Sequence, residues 1–274
     1  MPDVSQLSIN LATVRQQWGL IEALEGVARA GIPAVAPWRD QIAAAGLKPS
    51  VQRFRDLGLK CSGLCRGGMF PAATAEGRAK ANEDNLRALE EAVAFDAACL
   101  VLVVGGLPDG SRDLADARAQ VEDGIATLLD NARKAKMPLA IEPLHPMYAA
   151  DRACVNTMAQ ALDICDRLGP GLGVACDVYH VWWDPDLQAQ ITRAGRDRLL
   201  AFHICDWLRN TKDLLLDRGM MGDGVIDIPL IRSWVEAQGF TGFHEVEIFS
   251  AGNWWKRPPA EVLDTCITRH QTVC

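Results

Sequence analysis

Short apolar runs alternate with longer amphipathic stretches along the whole chain. Each run is four to seven residues long, a length typical of β-strands, and each is rich in Val, Ile, Leu, Ala or Cys. The pattern therefore predicts eight strands separated by helices. The predicted strands are Leu7–Leu11, Ile32–Ala36, Lys60–Leu64, Cys99–Val104, Leu139–Glu142, Gly173–Asp177, Leu200–Cys205 and Gly242–Ile248.

The stretches between these runs place apolar residues three and four positions apart, which is the spacing of one face of an α-helix. Three faces are clear in the sequence. They are Leu86, Leu89, Val93 and Ala94; Ile125, Leu128, Leu129 and Ala132; and Met158, Ala161, Leu162 and Cys165. The two longest stretches without strand character, Phe70–Ala98 and Asp206–Thr241, each have room for a helix and a substantial loop.

Eight strand–helix units over roughly 250 residues are the pattern and the size of an α/β fold of the (β/α)8 TIM-barrel type. A doubly wound dinucleotide-binding fold also alternates, but no GxGxxG follows the first predicted strand, which ends at Leu11. No linker rich in Pro, Gly or Ser divides the chain. We therefore expect one barrel domain over residues 1–274.

Composition and charge narrow the function classes. The 274 residues are 49% hydrophobic and carry a formal net charge of −7, which argues against a broad nucleic-acid or anionic-membrane surface. No apolar run is long enough to span a membrane, and the N-terminal residues have neither a basic flank nor an apolar segment typical of a signal peptide. These observations favour a small-molecule substrate and a cytoplasmic location.

Cysteine usage points to the same compartment. The chain has nine cysteines, and no pair has the CxxC spacing of a structural zinc site. An odd number of thiols placed mostly in apolar runs is typical of reduced, buried cysteine in the cytoplasm. We therefore expect no disulfide framework.

Polar side chains end four consecutive predicted strands, the fifth to the eighth. In a barrel of this type the active site lies at the carboxyl ends of the strands. Alternation along a strand gives Glu142, Asp177 and His203 the same direction as the small residues Ala140, Ala175 and Ala201, towards the barrel axis. Glu247 ends the eighth strand in the corresponding way.

Three carboxylates and an imidazole at one barrel mouth would repel one another unless a divalent cation lay among them. Glu142, Asp177, His203 and Glu247 are therefore the candidate ligands of one divalent metal ion. The mixed nitrogen and oxygen set is compatible with Mn, Mg, Co or Zn. Glu245 shares the phase of Glu247 and is an alternative ligand, although Glu247 lies nearer the end of the strand. His244 should face the helices and be structural.

At these strand ends the chain resembles the xylose isomerase-like TIM-barrel superfamily, and within it the sugar phosphate isomerase/epimerase group. The stretch from Glu142 through Met220–Asp227 to Trp254–Lys256 is most similar to inosose isomerase-like members. The segments that carry the resemblance are Ile141-Glu142-Pro143, Asp177-Val178-Tyr179-His180, Phe202-His203-Ile204-Cys205-Asp206 and Glu245-Val246-Glu247-Ile248-Phe249.

The resemblance implies a role for each matching residue. The four strand-end residues are ligands in that family, and the first and last glutamates, here Glu142 and Glu247, also exchange the substrate proton in ketose epimerases. His180 and Arg209 match residues that hold substrate oxygens. One position departs from the pattern, because Tyr148 replaces a second substrate-binding glutamate of the ketose epimerases, which argues against a linear ketose.

Other polar residues near strand ends are weaker candidates. Arg66 and His145 are candidates for substrate binding. Arg66 could equally lie in a turn exposed to solvent, and His145 could equally lie in a loop or contact the metal ligands from behind. Asn10 has a similar position. The pattern leaves open whether Asp206 orients His203 or caps a helix. It also leaves three positions open for Trp254 and Trp255: the wall of a sugar pocket, the protein interior, or the contact with a second subunit of a dimer.

The resemblance, together with these residues, implies a metal-dependent isomerase or epimerase that acts on a keto-sugar or a keto-cyclitol such as an inosose, by proton transfer through a metal-stabilised enediolate. A dehydratase is the nearest alternative, since the same enediolate can expel a hydroxyl group. A non-catalytic sugar- or metal-binding barrel is a further one. An apurinic endonuclease of the same superfamily is disfavoured, because the first half of the chain has no histidine for a multi-zinc cluster.

Overall fold

The computed structural model describes residues 2–274, and its centre is one sheet of nine parallel strands. Neighbours in the sheet follow the order β3-β2-β1-β9-β8-β7-β6-β5-β4. The strands are β1 (Leu7–Asn10), β2 (Ala34–Ala36), β3 (Lys60–Cys61), β4 (Leu64–Gly68), β5 (Leu100–Val103), β6 (Leu139–Ile141), β7 (Leu172–Asp177), β8 (Leu199–Ile204) and β9 (His244–Val246).

The two strands at the ends of this order, β3 and β4, are consecutive in the chain. Only Ser62 and Gly63 separate them, so the third predicted strand, Lys60–Leu64, is a single strand interrupted at these two residues. Ser62 donates its N–H to Val35 on one side of the break, and Leu64 donates to Cys99 on the other. The sheet therefore closes through an interrupted strand, and the predicted eight-unit α/β TIM barrel is confirmed.

Ten helices accompany the strands of residues 2–274. They are α1 (Leu20–Arg29), α2 (Arg39–Ala45), α3 (Leu47–Asp56), α4 (Ala75–Ala94), α5 (Leu114–Ala135), α6 (Met158–Leu168), α7 (Val178–Val181), α8 (Leu187–Arg198), α9 (Ile228–Ala237) and α10 (Pro259–Val273). Several begin at a side-chain cap that satisfies a free backbone N–H. Thr74 caps α4, Asp113 caps α5 and Thr157 caps α6 in this way.

Two of the three predicted helix faces, those of α5 and α6, are buried. The prediction for α4 is wrong in part, because Leu86 and Val93 are 39% and 44% exposed. The buried face of α4 is instead Asn85, Ala88, Leu89 and Ala92. Asn85 turns inward because its amide bonds both backbone groups of Gly68 on β4, accepting from the N–H at 2.6 Å and donating to the carbonyl at 2.7 Å.

The barrel interior is filled by small side chains. They form a cluster distinct from the larger core between barrel and helices, and its members are Cys65, Cys99, Val101, Ala140, Ala175 and Ala201. The inward direction predicted for the three alanines is confirmed. Glu142, Asp177 and His203 stand two residues further along the same strands, and so lie above this cluster at the carboxyl end of the barrel.

No helix within residues 2–274 combines the length and apolar character needed to cross a bilayer. All nine cysteines are free and buried, whereas the sequence predicted that most of them would be buried.

Candidate metal centre

Four neighbouring strands bring four metal-competent side chains together. Asp177 ends β7 and His203 lies near the end of β8, while Glu142 and Glu247 directly follow β6 and β9. Each offers one nitrogen or oxygen atom, these atoms lie within 4.8 Å of one another, and all four residues are buried. We refer to Glu142, Asp177, His203 and Glu247 as the ligand set.

Contacts within the strand ends fix the orientation of the ligand set. The Nδ1 atom of His203 lies 2.9 Å from Oε1 of Glu142. Asp177 uses Oδ1 to accept the N–H of Tyr179 at 2.8 Å and so caps α7, which leaves Oδ2 facing the other members. Helix capping and metal ligation are therefore compatible at Asp177, because the carboxylate has an oxygen for each.

An arginine from a distant loop also enters the site. Nη1 of Arg218 lies 3.1 Å from Oδ2 of Asp177 and 3.0 Å from Oε2 of Glu247, and the guanidinium lies 4.3 Å from the ring centroid of Tyr179. Arg218 was not predicted from the sequence. The position of Arg218 depends on the path of the loop between β8 and α9. The spacing of apolar residues in the sequence predicts strands and helices but not the path of a loop.

Burial and charge set the protonation of the site. Burial, reinforced by the neighbouring carboxylates, raises the pKa of Glu247 to about 8. Burial also works to raise the pKa of Asp177, but Arg218 and two imidazoles outweigh it and hold that pKa below its ordinary value. Burial lowers the pKa of His203, but the negative charges of Glu245 and Glu142 outweigh this effect and raise that pKa well above its usual range.

Glu245 lies deeper in the barrel than the ligand set. It accepts hydrogen bonds from Asn10 at 2.8 Å and from Ser62 at 2.7 Å, and its Oε1 lies 3.4 Å from Nε2 of His203. The structure thus brings Glu247, and not Glu245, into the ligand set. Asn10 is fully buried in this network and has no access to the cavity. His244 faces the helices, as predicted, and contacts His270 of α10.

The four predicted substrate-binding residues occupy different positions. His180 and Arg66 line a cavity beside Glu142 and Glu247. His145 lies behind this cavity, donating its N–H to Nδ1 of His180 at 3.2 Å and stacking on Trp207 at 4.9 Å between ring centroids. Arg209 is exposed on the turn after β8 and does not line the cavity, so its role in substrate binding stays a prediction.

The cavity above the ligand set measures about 50 Å³. Besides the predicted residues it is lined by Tyr148 and Arg152 from the loop after β6 and by Leu215 and Arg218 from the loop after β8. A second cavity of about 380 Å³ adjoins it, and Trp38 and Arg66 line both. The sequence pattern identified neither Arg152 nor Leu215.

Asp206 neither orients His203 nor caps a helix. Its two carboxylate oxygens accept the backbone N–H groups of Trp207, Gly222, Gly224 and Ile226 at 2.8–3.0 Å, which folds the loop that carries Arg218. Trp254 is buried, and Trp255 is half-buried and donates its indole N–H to the carbonyl of Ala12 at 2.9 Å. Neither tryptophan lines the cavity above the ligand set.

The ligand set has the chemistry of a divalent-cation site. It combines three carboxylates with one imidazole, a mixture that Mn²⁺, Mg²⁺, Co²⁺ and Zn²⁺ all accept. Within residues 2–274, Arg218 is the only arginine that contacts these carboxylates, so three buried carboxyl groups meet one guanidinium and one imidazole at this end of the barrel. A divalent ion therefore fits the charge, the donor atoms and the spacing of this site.

Comparisons with known proteins agree with the fold. Protein SMc04130 from Sinorhizobium meliloti 1021 is 62% identical, with a TM-score of 0.98 over 99% of both chains. The IOLI protein with a bound zinc atom is 19% identical, with a TM-score of 0.85 over 98% of this chain and 97% of that one. A D-psicose 3-epimerase solved in the presence of D-fructose is 17% identical, with a TM-score of 0.78 over 97% of both chains. No curated protein matches significantly.

The family model described as xylose isomerase-like TIM barrel matches residues 24–266. That range includes the whole ligand set and all strands except β1. The chain therefore belongs to the xylose isomerase-like TIM-barrel family.

Proposed function

We propose that the protein is a divalent-metal-dependent isomerase or epimerase of a keto-sugar or keto-cyclitol. The observation that carries the proposal is the shared cavity of Glu142 and Glu247. These carboxylates come from β6 and β9, three positions apart in the sheet, and both line the space above the barrel. Two carboxylates that reach one substrate from different strands suit a reaction that removes and returns a proton.

Each member of the site has a defined task in this reaction. One of the pair Glu142 and Glu247 takes the proton from the carbon next to the substrate carbonyl, and the other delivers a proton to the carbon that receives it. A divalent ion held by the ligand set would supply a Lewis acid that withdraws electron density from the substrate oxygens. The structures similar to this chain include a protein with a bound zinc atom and a D-psicose 3-epimerase, and both support this assignment.

His180 and Arg218 position the substrate. Burial lowers the pKa of His180 to about 3, so its imidazole is neutral at neutral pH. Nδ1 accepts the N–H of His145, and Nε2, 3.1 Å from Nη2 of Arg218, is the nitrogen that can hydrogen-bond a substrate hydroxyl group. Arg218 stays charged, because its contacts with Glu247 and Asp177 outweigh the effect of burial and raise its pKa. Leu215 and Phe249 complete an apolar side of the cavity and exclude water from the reacting carbon.

Deuterium exchange tests the proposal directly. Mn²⁺-loaded protein incubated in D₂O with a panel of inososes and ketoses should place deuterium on the carbon next to the carbonyl, observed by NMR. Glu142→Gln and Glu247→Gln should each slow this exchange by about 10²–10⁴-fold, because each removes a proton-transfer group. Glu76→Gln is the matched control, since this glutamate side chain on α4 is 80% exposed.

Metal content must be measured in every variant, because both glutamates also belong to the ligand set. A rearranged, deuterated product from the unmodified protein supports the proposal. A product that has lost water identifies a dehydratase instead. Absence of exchange with every substrate, despite a full complement of metal, would overturn the assignment as an isomerase or epimerase.

A further inference from the structure

Arg66 is the one arginine lining the two adjoining cavities, within residues 2–274, that has no carboxylate partner. Its neighbours in the larger cavity are paired, since Arg15 contacts Asp40, and Arg39 lies 2.7 Å from Asp84 and 2.6 Å from Glu91. Arg66 is half-buried and makes neither a hydrogen bond nor an ion pair with another described residue. A partly buried guanidinium without a partner is costly unless a ligand supplies one.

A second guanidinium lies close to Arg66. Burial lowers the pKa of Arg66, and the positive charge of Arg152 lowers it further. The nearest carboxylate to Arg152 is that of the adjacent Asp151, whose Oδ2 lies 3.6 Å from Nε; Arg152 is half-buried and the Asp151 side chain is 65% exposed. Two guanidiniums facing one cavity with so little compensation form a local positive field.

Tyr148 adds a hydrogen-bond donor to the same wall. Its ring lies 5.6 Å from the Arg152 guanidinium, and its hydroxyl group is buried without a hydrogen-bond partner among residues 2–274. Buried hydroxyl groups are nearly always paired. Tyr148 and Arg66 line the same cavity as Glu142 and Glu247, so a substrate that reaches the glutamates lies beside both residues.

We propose that Arg66, Arg152 and Tyr148 form a subsite for an anionic group of the substrate, a phosphate or a carboxylate. This inference rests on the proposed function and narrows it to keto-polyols that carry such a group. The guanidiniums bind the anionic oxygens by charge-assisted hydrogen bonds, and the tyrosine hydroxyl donates one more. The uncharged part of the substrate then extends towards the ligand set.

Anion binding by the full chain in Mg²⁺-containing buffer tests the subsite, with inorganic phosphate and glycolate as separate probes in isothermal titration calorimetry. Arg66→Gln should weaken binding of the preferred probe about tenfold or more, which is the usual effect of losing one hydrogen bond to a charged group. Tyr148→Phe should weaken it several-fold, and Arg66→Lys should restore part of the affinity. Arg29→Gln on α1, whose side chain is 69% exposed, is the matched control and should bind as the unmodified protein does.

The unfolding temperature separates a ligand role from a structural one. Because Arg66 has no protein partner, Arg66→Gln should not lower the unfolding temperature, whereas a structural arginine would. Preference for phosphate identifies a phosphorylated substrate, and preference for glycolate identifies a carboxylic acid. Equal affinity of the unmodified protein and Arg66→Gln for both probes overturns the subsite.

The two proposals can fail separately. If substrates exchange deuterium but phosphate and glycolate bind Arg66→Gln as tightly as the unmodified protein, the isomerase function stands and the anionic subsite falls. If anion binding depends on Arg66 but no substrate exchanges deuterium, the subsite stands and the isomerase function falls.

Discussion

Glu245 is the carboxylate that acts on the inner nitrogen of His203 through its charge. It lies beneath the ligand set, with Oε1 3.4 Å from Nε2 of His203, and that nitrogen makes no hydrogen bond with any of residues 2–274. Asn10 and Ser62 hold the carboxylate in place. The negative charge of Glu245 favours a proton on Nε2, while Nδ1 faces Oε1 of Glu142 and the metal position.

Replacing this carboxylate should weaken metal binding without removing a ligand. Glu245→Gln keeps the shape of the side chain but removes the charge that acts on His203, so we expect the affinity for Mn²⁺ or Zn²⁺ to fall about 10–100-fold in a metal titration. Glu261→Gln, on the exposed surface of α10, is the control. Unchanged affinity in Glu245→Gln would show that this charge does not affect ligation by His203.

The residues of the cavity differ in how far the sequence predicts them. Strand phase is local, so it predicted that Glu142, Asp177 and His203 point towards one axis. It could not separate Glu245 from Glu247, because both have the same phase and differ only in depth. Arg218 and Arg152 are reached through loops, and their positions follow from three-dimensional paths that no period in the sequence encodes.

At the scale of elements, the loop between β8 and α9 is ordered by one side chain. Asp206 binds four backbone N–H groups, and the loop is also joined to the segment after β9, where Arg218 donates its N–H to Phe249 at 2.9 Å and Ala251 donates to Leu216 at 2.8 Å. Gly224 is required here, since a Cβ atom would lie 2.1 Å from the carbonyl oxygen of Trp207.

Removing the charge of Asp206 should loosen this loop selectively. Asp206→Asn offers one acceptor oxygen in place of two and no negative charge, so we expect a local loss of about 1–3 kcal/mol and faster amide hydrogen exchange over residues 207–226. Asp184→Asn, which loses a single exposed backbone contact, should leave that exchange unchanged. Equal exchange in the two variants would show that the contacts with the segment after β9 suffice.

The elements themselves follow closely from the hydrophobic pattern, and the exceptions have local causes. The third strand breaks at Ser62 and Gly63, where the serine hydroxyl turns to Glu245 inside the barrel, a partner that lies 183 positions away. The face of α4 is rotated because a polar residue, Asn85, is fully satisfied by the backbone of Gly68. In both cases a long-range hydrogen bond outweighs the local pattern.

At the scale of the whole molecule, a buried histidine pair makes stability depend on pH. Nδ1 of His244 on β9 lies 3.1 Å from Nε2 of His270 on α10. Burial lowers the pKa of His244 to about 3 and that of His270 to about 4, and Arg232 of α9 opposes protonation of both. Glu236, 3.7 Å from His244, and Asp3, near His270, are the acidic groups that face the pair.

The folded protein therefore binds fewer protons than the unfolded chain between about pH 6.5 and pH 4. Stability is full above this window and falls as the pH decreases through it, by about 1 kcal/mol per pH unit for each proton taken up on unfolding. Urea unfolding of the unmodified protein and of His270→Phe at several pH values measures the effect. The slope should be smaller in His270→Phe, and identical slopes would exclude the pair as its source.

The barrel as a whole was predictable because the alternation of apolar strand and amphipathic helix repeats eight times along the sequence. An error in the bounds of one strand therefore does not change the predicted architecture. The chemistry at its mouth was less predictable. Its electrostatics combine groups from β6 to β9 with groups from two loops, and the charge balance becomes visible only when all of them are assembled.

The loop folded by Asp206 also changes the thermodynamics of substrate binding. Fixing the backbone of a residue costs about 1–2 kcal/mol of conformational entropy, and here that cost is met when the protein folds rather than when substrate arrives. The free energy of the contacts that the substrate makes with Leu215 and Arg218 can therefore contribute fully to affinity, because binding does not have to order the loop. A substrate larger than the 50 Å³ cavity has room to extend past Trp38 and Arg66 into the adjoining cavity of about 380 Å³, so the ordered loop sets the shape of one end of the binding site only.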